Sequence, residues 1–122
     1  MINMASGQAL TATELEVLMI IKLIKQRITD WASTKPFKMK IYLYGSHARN
    51  EAVKMSDIDI AMEFPSLPES ERTLIMIDFQ DLWQNELSNR LGKKVHIELF
   101  DEKTSTIKKG LEKSSVILFS NV

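Results

Sequence analysis

Apolar positions along this chain recur with two periods, and the change from one to the other divides it into elements. From Thr11 or Thr13, each followed three residues later by a glutamate (Glu14, Glu16) as a capping box requires, a helix is predicted to run to Trp31. Val17, Ile20, Ile21, Ile24, Ile28 and Trp31 recur at spacings of three and four and form its core stripe. Leu15, Met19 and Leu23 form a second stripe beside it, wider than one sheet contact needs. That stripe is covered either by the rest of the chain or by a homodimer or partner interface. After Lys35-Pro36, Lys40–Tyr44 reads as a strand apolar on both faces, and therefore central in its sheet. A turn at Gly45-Ser46, a short helix over 46–51 and a second strand over 57–64 follow. Pro65 and Pro68 bracket a loop before a long helix, Glu69–Leu91, with Met76, Phe79, Leu82, Trp83, Leu87 and Leu91 inward and Gly92 ending it. A third strand over 94–100 alternates Val95, Ile97 and Leu99 against His96, Glu98 and Phe100. A lysine-rich helix over 104–112 and a last strand over 116–119 complete the order α-β-(short α)-β-α-β-α-β.

In the second strand Asp57 and Asp59 share one face, while Ile58, Ile60 and Met62 share the other. Two carboxylates side by side repel one another unless a cation lies between them, so the pair points to a bound divalent metal. The turn before them supplies complementary chemistry. Gly45 lets backbone approach a ligand closely, Ser46 adds a hydroxyl, and amide groups at a turn that opens a helix bind phosphate oxygens. Arg49, one helical turn on, adds a charge-assisted phosphate contact or else pairs with Glu51 or Glu63. Metal-assisted transfer of a phosphoryl or nucleotidyl group needs this combination.

Composition narrows the setting. The 122 residues suit one domain, 11–122, behind a loose tail over 1–10. With 44% hydrophobic and 26% charged residues the chain is typical of a soluble globular protein. Lys plus Arg equals Asp plus Glu at 16 each, so it lacks the basic excess of a nucleic-acid binder. The absence of cysteine excludes disulfides and thiolate metal sites, and two histidines argue against zinc. The longest apolar run, 17–21, is far short of the roughly 20 residues of a membrane span, and no basic-then-apolar leader opens the chain. A cytoplasmic protein is expected.

Gly45-Ser46, ten residues, then Asp57-x-Asp59 make the pattern G-S-x10-D-x-D, which resembles the nucleotidyltransferase superfamily and, within it, the MNT-type minimal nucleotidyltransferases. The resemblance extends over residues 38–119. It implies an α/β domain of the polymerase beta-like palm fold, a small mixed sheet flanked by helices. It also implies two magnesium ions held by Asp57, Asp59 and a third carboxylate on a neighbouring strand, which can act as general base. Matching that strand places either His96 or Glu98 at the acidic position; both share the face opposite Val95, Ile97 and Leu99, and Glu98 is preferred because its register leaves the following helix and last strand in place without gaps. Asp101, of the other parity, is expected to cap the next helix. The resemblance further implies transfer of AMP from ATP to an acceptor hydroxyl. Many MNT proteins are antitoxins that modify a helical HEPN-family toxin in this way. Modification of a small molecule such as an aminoglycoside, or neutralisation of a partner by contact alone, are the alternatives. Asp78 and Asp81 and the lysines at 103, 108, 109 and 113 are read as solvated surface, and His47, inside the phosphate turn, either touches the nucleotide or lies at the surface.

Overall fold

A computed structural model of the protein describes residues 11–44, 57–100 and 115–122. The elements are α1 (Ala12–Ala32), β1 (Lys40–Tyr44), β2 (Ile58–Glu63), α2 (Glu69–Leu91), β3 (Val95–Leu99) and β4 (Ser115–Ser120). The short helix expected after Gly45 and the lysine-rich helix after Asp101 lie outside the described residues.

Thr11, rather than Thr13, caps α1. Its hydroxyl accepts from the Glu14 N–H at 3.1 Å, and its own N–H donates to Glu14 Oε1 at 3.2 Å. Gly92 ends α2 at φ 70°, where an L side chain is strained, and its N–H donates to the Ser88 carbonyl at 2.9 Å.

The sheet has the order β3-β2-β1-β4, with β1 antiparallel to both neighbours and β2 parallel to β3. β1 is central, as its apolar character on both faces requires. One sheet face carries Ile41, Leu43, Ile58, Ile60, Met62 and Ile97, all essentially buried against the two helices. From α1, Val17, Ile24, Ile28 and Trp31 enter this core; α2 contributes Ile75, Met76, Trp83 and Leu87. Phe79 and Leu91 pack against it from the side. Leu82, expected to face inward, is 53% exposed: Trp83 takes the inward position beside it at 2% and rotates Leu82 toward solvent.

Two further features fix the ends of the sheet. Phe37, before β1, meets Phe64, after β2, at 6.1 Å, and Phe37 and Phe79 both reach Trp83, which also meets Trp31 edge-on at 5.5 Å. This aromatic cluster rigidifies the end of the sheet opposite Tyr44 and Asp57. At the β3 edge, α2 covers backbone that would otherwise offer a template for strand addition. Gln80 Nε2 donates to the Ile97 carbonyl (2.6 Å), Gln84 Oε1 accepts from the Ile97 N–H (2.9 Å) and Ser88 Oγ accepts from the Val95 N–H (3.0 Å). Those three side chains stand four apart, one above another on one helix face. Among the described residues no helix is long and apolar enough to cross a membrane.

Candidate active site

The sheet face turned away from the helices carries the polar residues, and the strand register decides which of them meet. Tyr44 of β1 lies opposite Asp59 of β2, and Asp59 lies opposite His96 of β3. One step along, Tyr42 is opposite Ala61, and Ala61 opposite Glu98. Ala61 is fully buried although it faces away from the helices. Its small side chain lets the Tyr42 and Phe100 rings come to 6.0 Å across the strand between them. Asp57 and Asp59 therefore stand on one face, with Ile58 and Ile60 buried behind them, as the alternation predicts.

Asp57 is half exposed, and its Oδ2 lies 2.9 Å from His96 Nε2. The parallel pairing of β2 with β3 creates this contact: it carries His96, 39 residues further along, to the start of β2. Glu98 is exposed and does not join Asp57 and Asp59 in a single ligand set. Among the described residues no three carboxylates or histidines converge as a metal site. That is no obstacle to magnesium, which keeps several waters and takes one or two protein carboxylates together with substrate phosphates. Asp57 and Asp59 offer hard anionic oxygens of that kind.

Tyr44 senses both remaining carboxylates. Burial pushes its pKa up to about 12, and the charges of Asp59 and then Glu98 add to the rise. Its hydroxyl therefore stays protonated at neutral pH, a hydrogen-bond donor beside two acids. Tyr42 is likewise raised to about 12, by burial and then by Glu63, to which its hydroxyl donates at 2.8 Å. Tyr44 is the functional-site residue that sequence reasoning passes over. Its signal was present, since it precedes Gly45 and shares the parity of Tyr42. Gly45, Ser46 and Arg49, the expected phosphate-binding residues, lie outside the described residues, as do His47 and Asp101. Asp78 and Asp81 are exposed on α2, away from this face.

A strand end with paired carboxylates and an acid on the neighbouring strand suits metal-assisted nucleotidyl transfer. The family described as polymerase beta, nucleotidyltransferase matches residues 26–122. The chain belongs to this family. As a nucleotidyltransferase it is 35% identical, over 82 residues, to a candidate protein adenylyltransferase of Methanocaldococcus jannaschii, which covers 66% of this chain and 76% of the relative. Among solved structures it resembles a candidate nucleotidyltransferase of Sulfolobus solfataricus at a TM-score of 0.54 and 22% identity, covering 91% of this chain and 89% of that one. It also resembles a toxin-antitoxin structure containing AMP-PNP at 0.55 and 19%, covering 83% and 73%. Both solved structures share the overall fold of this chain.

Proposed function

We propose that this nucleotidyltransferase moves AMP from ATP, with magnesium, to a hydroxyl of a partner protein, most simply a HEPN-type toxin that the modification neutralises. The observation that carries the reading is the placement of Asp57 and Asp59 on one strand end, with Tyr44, His96 and Glu98 on the flanking strands. Its relative described as a protein adenylyltransferase supports a protein acceptor, and the toxin-antitoxin neighbour with AMP-PNP supports an adenine nucleotide and a toxin.

Asp57 and Asp59 would hold magnesium, which would supply positive charge to offset the negative charge developing on the phosphates in an in-line displacement. His96, hydrogen-bonded to Asp57, orients that carboxylate, and Tyr44 donates toward the acidic pair. Ser46 and the backbone at Gly45 cradle the phosphates, with Arg49 adding charge. Glu98, which stands apart from the aspartates, is the base for the acceptor. It takes the hydroxyl proton as that oxygen bonds to the α-phosphorus, and the bond to the β-phosphate oxygen breaks to release pyrophosphate.

Incubation of the chain with its partner, magnesium and α-labelled ATP is expected to label the partner. Asp57→Asn and Asp59→Asn, which keep shape and hydrogen bonding, should each lower labelling at least 100-fold with unchanged circular dichroism. Undiminished neutralisation by those variants without labelled product would replace this reading with neutralisation by contact. Labelling of an aminoglycoside without any partner would make the acceptor a small molecule.

A further inference from the structure

The chain holds two tyrosines, Tyr42 and Tyr44, at alternate positions of β1 and therefore on the same face of the sheet. The register gives them different surroundings. Tyr42 lies opposite Ala61, and its hydroxyl is engaged by Glu63, to which it donates at 2.8 Å. Tyr44 lies opposite Asp59, and its hydroxyl has no hydrogen-bond partner among the described residues. The charges of Asp59 and Glu98 both reach that hydroxyl. Tyr44 is partly exposed and is the last residue of β1, directly ahead of Gly45-Ser46.

We infer that Tyr44 is itself an acceptor: without a partner, the chain moves AMP from ATP onto its own Tyr44 hydroxyl. The inference rests on the transfer chemistry proposed above and adds a second acceptor to it. Opposed residues of an antiparallel pair stand about 5 Å apart with their side chains on one face. A phenol is longer than a carboxylate by a ring, so the Tyr44 oxygen rises past Asp59 to the level at which phosphates drawn to that carboxylate's ion would lie. Its hydroxyl is the same nucleophile that a partner protein would offer. Because the strand already holds it beside the site, it reacts as an intramolecular group, without the entropy cost of bringing in a second molecule. In the step, the Tyr44 oxygen bonds to the α-phosphorus and its proton passes to Glu98. The bond from the α-phosphorus to the bridging oxygen breaks, and pyrophosphate leaves. The product is a tyrosyl phosphodiester whose adenosine stays at the site. Labelling therefore stops at one AMP per chain, and a chain so modified transfers less AMP to a partner. Tyr42, one row further from the aspartates and tied to Glu63, is not an acceptor.

Incubation of the chain alone with magnesium and α-labelled ATP should add the mass of one adenylyl group, and peptide mapping should place it on Tyr44. Alkaline titration of the modified protein should then count one phenol in place of two, a readout independent of turnover. Tyr42→Phe should still become modified. Tyr44→Phe should not, with circular dichroism showing that it is folded. A mixture of Asp57→Asn, which keeps the tyrosine, and Tyr44→Phe, which keeps the aspartates, should leave both unlabelled, because the transfer occurs within one chain. An unmodified chain under conditions that label the partner would overturn this inference and leave the partner reading standing. Absence of label from both chain and partner would withdraw the two together. AMP mapped to any other residue, or transfer between chains in the mixture, would also overturn it.

Discussion

At the residue scale the site is governed by which side chains the register sets side by side, and two pairs of residues make that testable. Tyr42 and Tyr44 titrate near 10 in an unfolded chain and at about 12 in the fold, so folding favours their protonated forms. The stability that this contributes is fully present below pH 10 and is lost as pH rises through 12. Urea midpoints measured between pH 8 and 12 should fall above pH 10. Tyr42→Phe with Tyr44→Phe should flatten that fall relative to the parent, whatever the variant does to stability at pH 8. The second pair is His96 and Glu98, which the chain alone leaves as rival candidates for one role and the register gives different neighbours. With Glu98 as base and His96 as the orienting partner of Asp57, Glu98→Gln should lower kcat at least 100-fold with little change in the KM for ATP. His96→Gln, which can still hydrogen-bond Asp57, should cost about tenfold or less. Steady-state labelling rates against ATP concentration distinguish these outcomes.

At the element scale, local pattern read far better than long-range placement. Thr11 and Glu14, the alternation through Ile58, Asp59 and Ile60, and Gly92 after Leu91 are all local signals, and each element they announce is present. Leu82 misled because the apolar stripe of α2 is wide and periodicity cannot tell which of two adjacent apolar residues takes the core. The contacts of Asp57 with His96 and of Tyr44 with Asp59 were not legible, because they depend on strand order, which no period records. The same holds for Gln80, Gln84 and Ser88, which close the edge of β3 through contacts that no local pattern announces. Gln84→Ala leaves the Ile97 N–H without its partner and should cost about 1 kcal/mol. The denaturant midpoint should drop with an unchanged slope, and hydrogen exchange at Ile97 should quicken. Because β3 carries His96 and Glu98, transfer activity should fall with the stability.

At the scale of the whole molecule, the two ends of the sheet are built for different work. The aromatic cluster of Phe37, Phe64, Phe79, Trp31 and Trp83 fills one end with apolar contacts, while the other carries Asp57 and Asp59 on the sheet face turned away from the helices. Two neighbouring carboxylates favour a bound cation, so substrate binding and folding stability should be linked. A ligand that binds only the folded form at about 100 times its Kd adds about 2.7 kcal/mol. For a domain of this size that is on the order of 10 °C in Tm. Magnesium with a non-hydrolysable ATP analogue should therefore raise Tm by several degrees, and the analogue with a chelator by much less. The difference between the two is the part that requires carboxylates, and Asp57→Asn or Asp59→Asn should remove it while the metal-independent shift remains. An equal shift in parent and variants would place the metal elsewhere than on this strand end and would withdraw the mechanism built on it.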